Sequence, residues 1–407
     1  MDGGARLGID ALASEAETTA ERIERLVEIG ALIPAADGTF ERGDIVRARV
    51  VSAFEAEGFS LEQMETAIRE NAIALGGLPL FYPAPSPRTG RTFGEFVAEL
   101  GPRGALVGPV LSAMGLTAPA PDAPTRGAEE QLLRALIEGW NTVDEEYTLR
   151  AARIFGDSAR RASEAWVSLF AEAISGPVES TYTTLDEIVP RLLRPAAILS
   201  PLTSKLLAWL VERHLERTMN DLNIGRIERR LEQRGLIPER PAYPPAVAFV
   251  DLSGFTRLTV DRGDAYGARL SVRLSELADA EVRRHGGRVV KLLGDGVLLL
   301  FDGPCVAIDA VVDLTRTMVK AGLPAAHAGI HTGPVIERDG DVFGSTVNIA
   351  SRIANHAPAG TILVSEPVVE GCPGRTARFE PLGEVQIQGL IEPMTLCRYR
   401  PLGPRED

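Results

Sequence analysis

The sequence predicts an α+β protein, with an all-α N-terminal part followed by a C-terminal α/β sandwich. Up to about residue 220, apolar side chains recur at helical spacing; from about 245 to 401, short apolar runs alternate with helical segments. Prolines 238, 241, 244 and 245 separate the two patterns. We therefore expect a helical module over 1–85, an all-α domain over 86–225, a helical linker over 226–244 and the sandwich over 245–401.

The overall composition excludes some classes of protein. A chain of 407 residues has room for two or three domains, and 45% hydrophobic residues are enough for ordinary cores. The formal net charge is −13, which disfavours nucleic acid and anionic lipid surfaces as partners. We therefore expect this protein to bind a small molecule or another protein, and we expect no nucleic acid as a partner.

The cysteines and the apolar segments indicate a cytoplasmic protein. Cys305, Cys372 and Cys397 are too few and too scattered for a disulfide framework, so we expect them to be reduced and buried. The N-terminus lacks the basic and apolar regions of a signal peptide. Residues 192–211 are the most membrane-like stretch, but charged residues and prolines interrupt them. We expect buried helices there and no membrane span.

The first module is predicted to hold three helices, over residues 15–29, 43–57 and 61–74, the last capped by Ser60. This module resembles part of a winged helix of the MerR type. The resemblance lies in the order of its segments, which are a helix, Gly30-Ala-Leu-Ile-Pro34, an Asp-Gly turn, a second helix and Glu57-Gly-Phe-Ser-Leu61. That resemblance implies DNA binding. The alternative is a helical module without DNA contacts, which the acidic charge of residues 1–75 favours, because phosphate contacts need a basic face.

The middle of the chain is predicted to be helical throughout. Its five helices cover residues 93–114, 128–155, 159–174, 184–193 and 200–220, and linkers cover 83–91 and 117–127. Trp140, Trp166 and Trp209 occupy helical positions and are expected in the core. A charged helix over 226–233 either couples two domains or acts as a plain spacer.

Three motifs in the last part carry acidic side chains at fixed positions. Residues 247–256 read as a buried strand that ends at Asp251, before Ser253-Gly254. Residues 288–301 read as a hairpin whose turn is Gly294-Asp295-Gly296. A strand end and a turn can present Asp251 and Asp295 to one point, which suits hard divalent cations.

The remaining elements of this part alternate between helices and strands. Helices are predicted over 263–285, 304–321 and 344–355, and further strands over 325–331, 335–338, 361–365, 379–382 and 395–399. This pattern is typical of helices packed on a largely antiparallel sheet.

Together, the three motifs resemble the catalytic domain of the class III nucleotidyl cyclases, over about residues 245–401. The resemblance implies a ferredoxin-like sandwich that makes a cyclic nucleotide. It implies two Mg²⁺ or Mn²⁺ ions in each active site, held by Asp251 and Asp295 with the backbone of Leu252. Phe255 and Thr256, in the same motif, are implied to bind substrate.

The resemblance also indicates which residues recognise the base and which stabilise the transition state. Lys291 and Asp341 occupy the positions that select adenine, whereas guanylyl cyclases typically have Glu and Cys there. Asn348 and Arg352 match the pair that stabilises the transition state, and their spacing of four places both on one helix face. The implied reaction converts ATP to 3′,5′-cyclic AMP and pyrophosphate in a homodimer, because Asp251 and Asp295 would come from one chain and the other four residues from its partner.

One residue departs from the family pattern. Family members often carry a Lys near Gln388 that meets the triphosphate, and Gln388 brings no charge. The alternative function is therefore a pseudo-cyclase that binds nucleotide and signals. The helical part resembles, in order and length, the regulatory domain of some actinobacterial cyclases. Its input is left open between pH, an apolar small molecule and a partner protein.

Overall fold

The computed structural model describes residues 6–76, 79, 86–139, 143–238, 243–388 and 390–401. The chain divides into two compact units, Met1–Ile227 and Glu228–Asp407, which are treated separately below.

The first unit begins with four helices: α1 (Ile9–Ala16), α2 (Ala20–Glu28), α3 (Gly43–Ala56) and α4 (Leu61–Arg69). The single helix predicted over 15–29 was wrong, because Glu17 adopts a left-handed conformation (φ 63°) that ends α1. The Thr19 side chain accepts a hydrogen bond from the Arg22 amide and starts α2. Ser60 caps α4 in a full capping box, as expected of that position.

These helices share a small core, which includes Leu12, Ile23, Leu26, Ile45 and Met64. All five side chains are at most 4% exposed. The N-terminal module therefore has a hydrophobic core of its own.

The next segment mixes short helices with a ribbon that the sequence did not predict. Its elements are β1 (Arg88–Thr92), α5 (Phe93–Glu99), a 3₁₀ turn (Gly101–Leu106), α6 (Val107–Ala113), β2 (Pro124–Arg126) and α7 (Gly127–Gly139). β1 and β2 pair antiparallel, so parts of both predicted linkers form a two-stranded ribbon. The helix predicted over 93–114 breaks at Gly101, whose φ is +61°. Trp140 lies outside the described residues.

The rest of the unit is built from long helices. α8 (Glu145–Phe170) continues through a π-helical segment (Ala171–Ser175) into α9 (Gly176–Thr181), and α10 (Leu185–Gln233) follows. α10 joins three segments predicted separately and contains Pro190, Pro195 and Pro201. No helix of the described residues is both long and apolar enough to cross a membrane.

Much of α10 is exposed, contrary to the prediction of buried helices. Trp209 is 54% exposed, and apolar residues from Ile198 to Ile227 are exposed as well. The expectation of a core position was wrong for Trp209, because no described element covers it, while Trp166 is half-buried.

The second unit contains one large sheet and a separate hairpin. Its strands are β3 (Ala246–Leu252), β4 (Arg288–Leu292), β5 (Gly296–Phe301), β6 (Ala326–Thr332), β7 (Ile336–Arg338), β8 (Asp341–Phe343), β9 (Ile362–Ser365), β10 (Phe379–Val385) and β11 (Met394–Tyr399). Among the described residues the sheet order is β10-β11-β9-β6-β3-β5-β4, and β7 pairs with β8. Only the β6–β9 pair is parallel within this sheet, so the predicted α+β class with a largely antiparallel sheet is confirmed.

Helices cover both faces of this sheet. They are α11 (Phe255–Arg262), α12 (Asp264–Arg284), α13 (Pro304–Lys320), α14 (Ser345–His356) and α15 (Glu366–Glu370). Apolar residues of α12 and α13 share a core with Ala248 and Val250, whereas Ala350 and Ala354 of α14 pack with Val247 and Phe249. Successive side chains of a strand point to opposite faces, so Asp251 lies on the α14 face.

Gly329 lets α14 approach the sheet closely. A Cβ built at Gly329 would lie 2.1 Å from the Ala354 backbone nitrogen, so any side chain there would push the helix away. The position of α14 is therefore fixed by the backbone of β6.

Two cysteines form a disulfide in this unit, against the prediction of reduced thiols. Cys305 in the first turn of α13 is bonded to Cys372, which follows α15. They are 67 residues apart in sequence, and only the fold brings them together. Cys397 is a free, buried thiol as predicted.

Candidate active site

Asp251 and Asp295 meet where β3 ends and the β4–β5 hairpin turns. The Leu252 amide donates a hydrogen bond to the Asp295 carbonyl oxygen (3.0 Å), and Asp251 pairs with Gly296 in the β3–β5 ladder. A Cβ at Gly296 would lie 1.6 Å from Asp251 Oδ1. Glycine at position 296 thus leaves the space that the Asp251 carboxylate fills.

The charge at this point favours a bound cation. Burial raises the pKa of Asp251, and the neighbouring Asp295 carboxylate raises it further, while His327 lowers it. Within the described part of the chain, no Arg or Lys forms an ion pair with either aspartate. Two close, partly buried carboxylates without an Arg or Lys partner among the described residues are a donor set that fits a hard divalent cation.

A metal held here would need ligands beyond the protein. Across the described ranges there is no cluster of three or more His, Cys, Asp or Glu side chains that could hold an ion. Mg²⁺ in proteins is typically bound by one or two carboxylates, with waters and substrate phosphates completing its shell. The aspartate pair fits that pattern, with the Leu252 backbone adjacent.

The segment after Asp251 turns directly into α11. Gly254 takes a left-handed conformation (φ +74°), and the helix starts at Phe255. The Phe255 side chain packs against the core below α12, whereas Thr256 is exposed. Substrate contact by Phe255 would therefore involve its backbone amide, at a helix N-terminus where phosphate groups bind readily.

Lys291 and Asp341 are in direct contact, although 50 residues separate them. Lys291 Nζ donates a hydrogen bond to Asp341 Oδ2 at 2.6 Å. The Lys291 hydrogen bond holds the pKa of Asp341 below its usual range, with help from the Val342 amide. Arg288 also reaches this hairpin, donating to Glu337 Oε2 at 2.6 Å.

Asn348 and Arg352 lie one turn apart on α14. Asn348 is exposed and Arg352 half-buried, while Thr346, Ala350, Ile353 and Ala354 form the buried side of the helix. Thr346 Oγ1 donates to the Pro334 carbonyl oxygen at 2.7 Å and fixes the start of the helix. The two polar side chains are thus carried on a helix whose position is set by its buried face.

The structure brings Asp251 close to Asp295, and it brings Lys291 into contact with Asp341. The two pairs are not joined to each other within one chain. In the parts of the chain described here, no hydrogen bond or ion pair links Asp251 or Asp295 to Lys291 or Asp341. Gln388 is exposed in a turn after β10, and its neighbour Gly389 lies outside the described residues.

Sequence reasoning missed His327. It pairs with Asp251 across the β3–β6 ladder, and its Nδ1 lies 3.0 Å from Ser253 Oγ. Strand alternation could place His327 on the same face as His331. Only the pairing register reveals that it lies beside Asp251.

The sequence also matches a known family over this part of the chain. Residues 240–398 match the adenylate and guanylate cyclase catalytic domain. This part of the chain is a class III nucleotidyl cyclase domain. The cyclase domain thus contains every residue that the sequence analysis assigned to the site.

Individual relatives extend the comparison. An uncharacterized protein of Mycobacterium tuberculosis strain H37Rv is 28% identical over 352 residues, 86% of this chain and 89% of that protein. An adenylate cyclase of Streptomyces coelicolor is 32% identical over 240 residues, 58% of this chain and 59% of that protein. The solved adenylyl cyclase CyaB of P. aeruginosa is 20% identical, covers 40% of this chain and 96% of its own, and has a TM-score of 0.35.

Proposed function

We propose that this protein is an adenylate cyclase that converts ATP to 3′,5′-cyclic AMP and pyrophosphate, using Mg²⁺ or Mn²⁺. The observation that carries the proposal is the contact between Lys291 and Asp341. An ammonium group only donates hydrogen bonds and an ionised carboxylate only accepts them. Adenine offers an N1 acceptor and an N6 amino donor, so the pair complements its edge.

The remaining site residues supply positioning and charge. Asp251, Asp295 and the Leu252 backbone would hold two ions, which when bound lower the pKa of the 3′-hydroxyl and neutralise the triphosphate. The amides of Phe255 and Thr256 would bind phosphate oxygens at the start of α11. Arg352 would stabilise charge that develops on the α-phosphate, and Asn348 would orient the ribose.

We propose a homodimer with two shared sites, in which Asp251 and Asp295 of one chain face Lys291, Asp341, Asn348 and Arg352 of the other. The lack of a hydrogen bond or ion pair between either aspartate and Lys291 or Asp341, within the described part of one chain, supports this arrangement. The exposed apolar side chains of α10 between Ile198 and Ile227 also favour a partner surface. A two-fold axis would make the two sites equivalent.

Replacing Lys291 and Asp341, the two residues proposed to recognise adenine, tests the choice of base. The purified protein is assayed with ATP and with GTP in the presence of Mn²⁺, beside the K291E/D341C double variant. We expect activity with ATP, and a loss of at least about 100-fold in kcat/KM for ATP in the variant, because its polar groups no longer match adenine. Preference of the unaltered protein for GTP would refute this reading.

A second candidate function is a pseudo-cyclase that binds nucleotide and signals through its helical part. The exposed Gln388, where the family often has Lys, favours it. No cyclic AMP from full-length protein with Mn²⁺ and ATP, together with measurable ATP binding, would establish this alternative. Restored activity in Q388K would trace the defect to that position.

We further propose that residues before about 240 regulate the cyclase domain. Basal activity of the full chain and of a chain starting at about residue 240 is compared from about pH 5 to 8, where histidines titrate. We expect a different basal rate after truncation. Equal rates at every pH and with added effectors would remove the case for regulation.

A further inference from the structure

A bulge in β4 brings two cationic side chains to the same face of the sheet. Arg288 pairs with Leu300 and Lys291 pairs with Leu298, so the ladder shifts by one residue between the two pairs. In a regular strand, residues three apart point to opposite faces. Both leucines belong to the core that packs under α14. The bulge therefore turns the two cations toward the α14 face together.

Both cations reach the β7–β8 hairpin. Lys291 makes the contact with Asp341 of β8, and Arg288 reaches across to β7, where its Nη2 donates a hydrogen bond to Glu337 Oε2 at 2.6 Å. Arg288 Nη1 also donates to the Gly340 carbonyl oxygen at 3.4 Å, in the turn of the hairpin. β4 is therefore joined to both strands of the hairpin through side chains.

The hairpin depends on such contacts for its position beside β4. In the part of the chain that the structure describes, β7 and β8 pair only with each other, so no backbone ladder joins them to β4. Asp339 (φ 57°) and Gly340 (φ 80°) form a two-residue turn between them. Val342 anchors β8 in the core. The contacts of Arg288 hold the turn of the hairpin close to β4.

Adenine would change the contact between Lys291 and Asp341. The two side chains hydrogen-bond to each other directly, so a base that uses both must take over part of that contact. The Arg288–Glu337 pair can persist while this happens. We propose that Arg288 and Glu337 are positioning residues, which hold Asp341 at the correct distance from Lys291 when adenine binds and so determine the preference for this base. The inference rests on the adenylate cyclase function proposed above.

Nucleotide analogues that cannot react measure this preference as binding. 3′-Deoxy-ATP and 3′-deoxy-GTP lack the attacking hydroxyl, and calorimetry with Mn²⁺ gives their dissociation constants for the full-length protein. We expect R288Q and E337Q each to lower the preference for the adenine analogue by about three- to tenfold, because an ion pair between half-exposed side chains has a modest effect. The double variant R288Q/E337Q should lose no more than either single variant, because the two residues act as one pair.

A charge swap separates the positioning role from the charge of Arg288 itself. R288E/E337R restores an ion pair between β4 and β7, so it should bind 3′-deoxy-ATP more tightly than R288E or E337R alone. In cyclase assays of the single variants, KM for ATP should rise more than kcat falls, because the contact affects base binding and not the reacting phosphate. The control R273Q/E276Q removes an exposed ion pair within α12 and should leave both dissociation constants unchanged.

The possible failures are distinguishable. An unchanged preference in both R288Q and E337Q would overturn this inference and leave the recognition of adenine by Lys291 and Asp341 intact. Loss of preference in only one of the two single variants would show that the residues do not act as a pair, and would overturn it as well. An unaltered protein without preference for the adenine analogue would instead refute the proposed recognition of adenine, and this inference with it.

Discussion

At the scale of single residues, Asp251 illustrates a conflict between stability and function. Burial raises the pKa of Asp251, so the folded chain binds that proton more tightly than the unfolded chain does. The charged form therefore destabilises the fold once the pH rises above the carboxyl's unfolded pKa, and this penalty is fully present above the raised pKa of the folded chain. We expect D251N to increase the free energy of unfolding at pH 7 without metal, within the range of about 0.5–2 kcal/mol usual for such relief.

Urea unfolding in EDTA measures this difference. The advantage of D251N should shrink as the pH falls through the raised pKa, and Mg²⁺ should stabilise only the unaltered protein. D261N, at an exposed position of α11, is the matched control and should show neither effect. A D251N protein that is less stable than the unaltered one in EDTA would contradict the argument.

Gly296 is the second residue whose role follows from geometry. A methyl group there would overlap the Asp251 carboxylate, so G296A should displace it and weaken Mn²⁺ binding and cyclase activity by at least about tenfold, equivalent to 1.4 kcal/mol. Overpacking should also lower stability by about 1–3 kcal/mol. Mn²⁺ binding by calorimetry and unfolding by circular dichroism test both expectations. G303A, where the nearest side-chain atom would lie 3.5 Å away, should leave Mn²⁺ binding unchanged.

At the scale of elements, the sequence predicted what local pattern determines. The strand ending at Asp251, the hairpin turn at Asp295 and the helix carrying Asn348 all occur where predicted, because alternation, glycine turns and helical spacing are local signals. The break at Glu17 was missed because a left-handed non-glycine residue leaves no strong sequence signal. The family resemblance assigned Lys291 and Asp341 to one base, but nothing in the sequence predicted their direct contact, because Asp341 lies in a hairpin 50 residues further along the chain.

The Cys305–Cys372 bridge shows the same limit for a covalent contact. It ties the first turn of α13 to the segment after α15, beside an ion pair in which Arg375 Nη2 donates to Asp309 Oδ2 at 2.7 Å. Closing a loop of this length stabilises a fold by about 4 kcal/mol in the chain-entropy account. We expect C305S/C372S to lose about 2–4 kcal/mol of unfolding free energy, and dithiothreitol to lower that of the unaltered protein similarly.

Unfolding in urea with and without reductant provides the measurement. C397S removes only the free, buried thiol, so the unfolding free energy of this variant should still fall in dithiothreitol. The unfolding free energy of C305S/C372S should not change with dithiothreitol. An unaltered protein whose stability does not respond to dithiothreitol would show that the bridge does not form in solution.

At the scale of the whole molecule, the central question is whether each active site needs two chains. The two aspartates and the Lys291–Asp341 pair are each assembled within one chain, and no described contact joins them. If the site is completed across a two-fold axis, D251A and R352A should each be inactive alone. In a mixed dimer, one site then carries both substitutions and the other carries neither.

Mixing the two inactive variants therefore makes a quantitative prediction. With equal amounts and free exchange of chains, half of the dimers are mixed and each has one intact site, so about a quarter of the unaltered activity should return. The control mixes D251A with D295A, which affect the same half of the site and should restore nothing. Chain exchange is checked independently by co-purification of differently tagged chains. Exchange without recovered activity would show that both halves of the site belong to one chain, and the shared-site mechanism would have to be abandoned.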